Sequence, residues 1–302
     1  MSINDGFLGN IKVGVGLMVF KGNKTLLTKR KSDLGKGRWG SIGGKLEFLE
    51  MPLDCVKREA SEELGVKVVG KPELLAVSNI VSPGDHWLDI TFKGEIGGEP
   101  KIQEEEKEKL EETGFYNMSD LPGELFVPVR KGIEAYRLGR KFFDVRVGKE
   151  HVVGRVKPEK DRATVGVNVL IEREGKLLMG KRKGVAGEGS WGLPGGRLEF
   201  GEKIFDCAKR ELMEEVGLKA KDLEFLNIFN QIRTNKNQHW IQVGLVGKGI
   251  KGEPKLMEPE RCFEWRWFEN NKLPKNIFRP HKAHVDMVCG KGKVYVEERF
   301  SL

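Results

Sequence analysis

The sequence predicts two tandem α/β units, each a mixed sheet with a helix on either side. Three observations carry this reading. The chain contains itself twice: GGKLEFLEMPLDCVKREASEELGV at 43–66 returns as GGRLEFGEKIFDCAKRELMEEVGL at 195–218, an offset of 152 residues. A period this long marks a duplicated domain rather than a solenoid. Strand-like β-branched runs alternate with helical periodicity in both copies. The 302 residues also leave room for two cores at ~150 residues per domain.

The elements follow in order. Residues 11–20 and 163–172 are apolar and β-branched, and each precedes a glycine turn, so they open hairpins. Residues 24–30 and 176–182 are the return strands. Residues 51–64 and 203–216 have helical spacing, with Val56, Ala60 and Leu64 on one face of the first. Gly65 and Gly217 follow as C-terminal caps. Strands are expected near 73–82 and 87–96, and again near 224–232 and 239–247. A short strand carries Phe115 and Tyr116 in the first copy and residues 265–268 in the second. Further helices are expected near 129–138 and 280–288. The polar stretch GKEHVVGRVKPEKDR at 148–162 reads as a linker. The domains are then 1–147 and 163–302.

Apolar residues make up 38% and charged residues 32%, with 39 Gly and 12 Pro. That profile excludes disordered, collagenous and coiled-coil classes. The four cysteines, Cys55, Cys207, Cys262 and Cys289, form no CxxC pair. They argue against a zinc ribbon or a disulfide scaffold and for a reducing, cytoplasmic compartment. No apolar run approaches the ~20 residues of a membrane span. The first residues, MSINDGFLGN, lack the regions of a signal peptide. A net charge of +8 suits anionic ligands, nucleotides among them.

The repeated segment has rigid spacing. Gly44, Glu50, Arg58-Glu59, Glu62-Glu63 and Gly65 correspond to Gly196, Glu202, Arg210-Glu211, Glu214-Glu215 and Gly217. On a helix, positions i, i+3 and i+4 share a face, so Glu59, Glu62 and Glu63 project together, as do Glu211, Glu214 and Glu215. Carboxylates so close raise one another's pKa. A solvated acidic stripe explains the charge. It does not explain the paired glycines before the helix or a second copy at identical spacing. Hard cations such as Mg²⁺ neutralise such a cluster.

This pattern resembles the Nudix box of the MutT/Nudix hydrolases. The resemblance implies two tandem α/β/α sandwiches with mixed sheets, each with the box as loop–helix–loop. It implies hydrolysis of a nucleoside diphosphate linked to another group, with Mg²⁺ or Mn²⁺ held by the box glutamates. Glu59, Glu62 and Glu63 would form one catalytic metal set, and Glu211, Glu214 and Glu215 the other. Gly44 and Gly196 would each offer a carbonyl, while Glu50–Arg58 and Glu202–Arg210 would brace the box. A further metal carboxylate often comes from a later loop in this family. Glu258 and Glu260 are candidates in the second copy, aligned with Glu104 and Glu106 in the first, and Glu106 and Glu260 are taken forward. That acidic run reads equally as a solvated loop.

Outside the box, the second copy resembles the nucleoside-triphosphate pyrophosphatases of the MutT type, including those that clean oxidised or modified nucleotides. The first departs from it, with SIGG for LPGG, Leu49 before Glu50, and Phe115-Tyr116 for the Trp265 and Trp267 pair. The expected function is therefore cleavage of (deoxy)nucleoside triphosphates to monophosphate and pyrophosphate. The alternatives are cleavage of a nucleotide sugar, a dinucleotide polyphosphate or an RNA 5′ end, or one copy serving as a ligand-sensing or dimer-forming module. Nucleic acid and membranes are not expected as partners, and the two domains are expected to pair as an intramolecular pseudo-dimer.

Positions outside the box have competing readings. Arg30 and Arg182 end the second strand beside the box, where an arginine either forks onto a phosphate or is a surface charge. His86-Trp87 and His239-Trp240 begin a sheet strand and either contact a base or pack in the core. Cys55 and Cys207 read as buried small hydrophobes. The GxGxxG spacings at Gly35–Gly40 and Gly187–Gly192 read as loops, since the strand–helix context of a dinucleotide fingerprint is absent.

Overall fold

A computed structural model describes residues 9–31, 35–147 and 161–301. It divides into two compact units, Lys12–Gly148 and Lys149–Leu302 with Met1–Ile11. Residues 148–160 of the expected linker lie outside the described residues.

In the first unit the chain forms β1 (Ile11–Lys21), β2 (Lys24–Arg30), β3 (Trp39–Gly40), β4 (Ile42–Lys45) and α1 (Pro52–Leu64). It continues as β5 (Lys67–Ser82), β6 (Asp85–Gly97), β7 (Leu110–Asn117), α2 (Val127–Leu138) and β8 (Phe142–Arg146). The sheet order is β3-β2-β1-β6-β5-β8, with β4 added to β1 and β7 to β2. The second unit repeats this with β9 (Thr164–Arg173), β10 (Lys176–Arg182), β11 (Trp191–Gly192), β12 (Gly195–Arg197) and α3 (Ile204–Glu211). Then come β13 (Asp222–Arg233), β14 (Gln238–Lys248), β15 (Cys262–Glu269), α4 (Arg279–Val288) and β16 (Tyr295–Phe300). Both sheets are mixed: β13–β14 is antiparallel, while β14–β9, β13–β16 and β5–β8 are parallel.

Local chemistry explains the element that matters most. Proline in the first turn of α1 needs no N–H partner there. Gly65 ends the helix at φ 63° and donates to Ser61 O at 3.0 Å, satisfying a terminal carbonyl. Leu53, Val56, Ala60 and Leu64 are buried, which ties the box helix to the unit's core. On α2, Val129 and Ile133 pack with Met18, Leu27, Leu75 and Phe143. The second unit's equivalent cluster joins Leu170, Leu177, Met179, Trp191 and Val285.

The structure departs from the sequence reading in three places. β5 and β6 are longer than expected: the Pro83-Gly84 turn lets β6 begin at Asp85, and at the far end Lys67–Val69 pair with Glu95–Gly97. Strands β8 and β16 were not expected, since FFDVR and YVEERF lack clean alternation, nor were the short β3, β4, β11 and β12, which lie among the glycines read as loop. The second box helix is α-helical only to Glu211, and Leu212–Val216 form a π-helical turn. Such turns insert one residue into the helical ladder.

Candidate functional site

The box is built alike in both units. Arg58 forks onto Glu50, Nε to Oε1 at 2.7 Å and Nη2 to Oε2 at 2.9 Å. Its Nη1 donates to Glu59 at 2.6 Å and to Glu62 at 3.2 Å. Arg210 repeats this on Glu202, Glu211 and Glu214, each distance within 0.2 Å. Burial pushes Glu50 up, but the hydrogen bonds from Arg58 outweigh it and hold the carboxyl below its usual range. A planar guanidinium is suited to this bidentate grip, since its donors match the carboxylate spacing.

The paired glycines set the other wall. Gly43 lies at φ 150°, and a side chain there would strike the Val15 carbonyl; Gly195 repeats this against Val167. A methyl group on Gly44 or Gly196 would collide with the Glu59 or Glu211 carboxylate. The loop backbone thus lies directly on the glutamates. Gly43 N–H donates to Glu63 Oε2 at 3.0 Å, and Gly195 N–H to Glu215 Oε2 at 2.9 Å. Burial pushes both Glu63 and Glu215 up to about 8, despite these hydrogen bonds. Glu59 and Glu211 are raised for the same reason. Glu62 and Glu214 remain half exposed.

The two candidate loop carboxylates of the second unit differ in placement. Glu260 is exposed, whereas Glu258 stands close enough to Glu215 to raise its pKa. Glu106 does the same to Glu63 in the first unit. The two extra residues of the first copy fall before Glu106, so its counterpart is Glu258. Backbone pairings bracket the insertion: Gln103 N to Glu63 O answers Met257 N to Glu215 O, and Lys31 N to Lys109 O answers Lys183 N to Arg261 O; within that bracket Lys109 N to Glu106 O answers Arg261 N to Glu258 O, which sets Glu106 against Glu258. Glu258 Oε2 is buried with no hydrogen-bond partner, the Arg261 guanidinium standing at 3.7 Å.

Among the described residues no three acidic, histidine or cysteine side chains converge at metal-ligand geometry. Arg58 and Arg210 hold two glutamates of each set. The donor set nevertheless fits a hard dication. It is all oxygen, its buried carboxylates are pushed up in pKa, and one Glu258 oxygen lacks a hydrogen bond.

Beside each box lies a cavity. The first, about 350 Å³, runs from Gly43 and Gly44 to Trp87 and Asp89. The second, about 280 Å³, runs from Gly195 and Gly196 to Trp240 and Gln242. Arg30 and Arg182 line them, stacked 5.0 Å from Phe126 and 4.0 Å from Phe278. Burial lowers both guanidinium pKa values, against the opposing pull of Glu63 and Glu215. The arginines therefore stand between cavity and box. Trp87 and Trp240 line the cavities, but His86 and His239 do not. The histidines are buried, with Nε2 on Asn79 Oδ1 at 2.7 Å and on Asn230 Oδ1 at 2.8 Å. Cys55 and Cys207 are buried, and burial raises both thiols.

Asp89, Gln242 and Asn168 line the cavities and were not among the residues expected at the site. A signal existed for two of them. On a strand, residues two apart share a face, so Trp87 implies Asp89 and Trp240 implies Gln242.

A glutamate-lined helix beneath a glycine loop, with a basic cavity at its side, defines a unit for handling phosphorylated ligands, present twice. The family model described as "NUDIX domain" matches residues 10–136 and 160–287, so the chain belongs to the Nudix hydrolase family, with two domains in tandem. It is 33% identical over 127 residues to an ADP-ribose pyrophosphatase of Methanocaldococcus jannaschii, covering 42% of this chain and 74% of that protein. It is 32% identical over 140 residues to an RNA pyrophosphohydrolase of Teredinibacter turnerae, covering 46% and 70%. A MutT NUDIX hydrolase structure from Burkholderia pseudomallei matches at 29% identity and a TM-score of 0.41, covering 42% of this chain and 99% of that one. No helix among the described residues is long and apolar enough to cross a membrane.

Proposed function

We propose that each unit hydrolyses a nucleoside triphosphate, canonical or modified, to the monophosphate and pyrophosphate. One observation carries this: in both units a single cavity joins the box glycines to a tryptophan-bearing strand. A base stacked at Trp87 or Trp240 would leave its phosphates beside Arg30 or Arg182 and the glutamates. Cavities of about 350 and 280 Å³ stand at the small end of ligand pockets, which suits one base rather than two.

Glu59, Glu62, Glu63 and the Gly44 carbonyl, with Glu106, would hold Mg²⁺ or Mn²⁺ in the first unit. Glu211, Glu214, Glu215 and the Gly196 carbonyl, with Glu258, would do so in the second. When bound, such an ion supplies charge to the phosphate oxygens and acidifies water. The chain's own part is positional. Arg58 and Arg210 orient the carboxylates, and Arg30 and Arg182 neutralise phosphate charge. A carboxylate beside the ion would accept the proton of the attacking water.

A second reading follows from the relatives. Two of them, an ADP-ribose pyrophosphatase and an RNA pyrophosphohydrolase, favour a diphosphate-linked substrate other than a free triphosphate. A panel of triphosphates, ADP-ribose, dinucleotide polyphosphates and 5′-triphosphorylated RNA, assayed with Mg²⁺, decides between them. Hydrolysis confined to the last three classes, read as loss of each intact substrate, would overturn the triphosphate reading.

A further inference from the structure

The two cavities differ in what their floors offer. In the second unit, Asn227 Nδ2 donates to the carbonyls of Ala283 at 3.0 Å and Lys293 at 3.4 Å. Both its protons are thereby used, so its Oδ1 accepts from His284 Nδ1–H at 2.5 Å. His284 is then protonated on Nδ1 alone, and its Nε2 accepts from Asn168 Nδ2 at 3.3 Å. The same Nδ2 donates to Gln242 Oε1 at 2.8 Å. A chain of hydrogen bonds anchored on backbone thus fixes two amide orientations. Gln242 keeps an N–H₂ donor, and Asn168 keeps a carbonyl acceptor, in the cavity both line. Gly166 and Gly244 make the room; a methyl group on either would collide with Gln242, or with His284 and Asn227.

In the first unit every member of this chain is exchanged. Ala76 stands for Asn227, Gly132 for His284, Gly16 for Asn168, Thr91 for Gly244 and Asp89 for Gln242; Ala76 still pairs with Thr91 as Asn227 does with Gly244. Met18 fills the space above Gly132. Thr91 Oγ1 donates to Asp89 Oδ1 at 2.7 Å, and Asp89 Oδ2 lies over Gly14 beside the Trp87 ring. Burial raises the Asp89 carboxyl to about 6, against the hydrogen bond from Thr91. Asp89 thus presents a carboxylate where the second unit presents the Gln242 amide.

We infer that the first unit selects guanine through Asp89, whereas the second reads an acceptor–donor edge through the Asn168–Gln242 pair. The inference rests on the nucleotide reading of both cavities. A carboxylate needs two adjacent N–H donors, and guanine presents them as N1–H and the 2-amino group. Adenine, cytosine and uracil would each bring a lone pair against it, and a site that leaves a polar group unmatched discriminates strongly. The amide pair matches an oxo group beside N1–H, with or without a 2-amino group.

The discriminating probe is inosine 5′-monophosphate, which differs from guanosine 5′-monophosphate only in lacking that amino group. Calorimetric titration of the full chain without metal is expected to show two sites. One prefers the guanine nucleotide by ~10-fold or more, the size of one charge-assisted hydrogen bond, and the other binds both within ~3-fold. Asp89→Asn should abolish the preference, and Gln242→Glu should create it at the second site. Equal binding of the two nucleotides by the unmodified chain, a comparison that needs no variant, overturns the assignment while leaving the nucleotide reading intact. A preference surviving Asp89→Asn also overturns it. Binding of neither nucleotide overturns the nucleotide reading and the assignment together.

Discussion

Gly43 N–H holds the Glu63 carboxylate at 3.0 Å, and this places a glycine loop and a buried acid in direct contact. The contact sets the loop against the helix. It also keeps at the heart of the box a carboxyl only 7% exposed. Its stabilisation by one amide is smaller than the cost of burial, so the charged form is disfavoured. The same holds for Glu215 and Gly195.

The metal-free protein should therefore lose stability as pH rises. The folded pKa of Glu63 and Glu215, about 8, lies above the unfolded value near 4.5. Between those values the native state binds more protons than the unfolded chain, so unfolding free energy falls as pH increases. The loss is on the order of a few kcal/mol per glutamate once both ionise, at ~1.4 kcal/mol per pKa unit. Melting temperatures from pH 5 to 8 should fall less steeply in the Glu63→Gln, Glu215→Gln variant, and less steeply with Mg²⁺. An unchanged slope in the variant would refute this account.

His284 should act in the opposite sense. It is neutral in the fold, with burial lowering its pKa to about 3. Its folded value lies below the unfolded ~6.5, so its stabilisation is complete above pH ~6.5 and is lost as pH falls toward 3. His284→Leu should remove that acid-side slope. At pH 7 it should cost ~1–3 kcal/mol, because Asn227 Oδ1 is left without its donor. Urea denaturation at pH 5 and pH 7 measures both effects, and a variant with wild-type stability and slope would contradict the hydrogen-bond chain.

Much of this arrangement was legible in the sequence, because the box is local. Glu59, Glu62 and Glu63 lie within one helical turn or so, and the glycines precede them by a fixed count. The chain's own repetition then supplied the second site. The cavity floors were less legible. Asn227, His284 and Asn168 are 57 and 116 residues apart along their hydrogen bonds, and only the sheet and α4 bring them together. The choice between Glu258 and Glu260 was not legible, because an insertion inside an acidic run leaves no marker of its position. His86 and Trp87 are adjacent, yet successive residues on a strand face opposite ways, so a pair read together had to divide between core and cavity.

Arg58 is expected to matter for stability as well as for shape. It is the shared donor to Glu50 and Glu59, both largely buried. Arg58→Ala leaves these acids without their partner and should cost ~3–5 kcal/mol, as breaking a buried pair does. Arg58→Lys restores charge but not the fork, and should recover only part of the loss. Urea denaturation compares the two. Equal stability of Arg58→Ala and the unmodified protein would show that the fork contributes nothing.

Activity in both units can be tested on the glutamates that the fold needs least. Glu62 and Glu214 are half exposed and reach their arginines only at 3.2 Å, so glutamine should preserve stability at either place. It keeps the shape and removes the charge that would attract a dication. Each single variant should lose one unit's activity by at least ~10²-fold, the smaller end of what a placed carboxylate contributes. The other unit continues, so total turnover on a mixed triphosphate panel falls only partly in each. The double variant should lose nearly everything. The base preferences of the two single variants should also differ, because metal chemistry depends on the shared box while base choice depends on Asp89 or on Gln242. Steady-state rates on guanine, adenine and pyrimidine triphosphates measure all of this at once. If Glu214→Gln alone abolishes hydrolysis of every substrate, the first unit is a binding module despite its intact box. If the two single variants keep identical selectivity, the different floors of the cavities do not govern turnover.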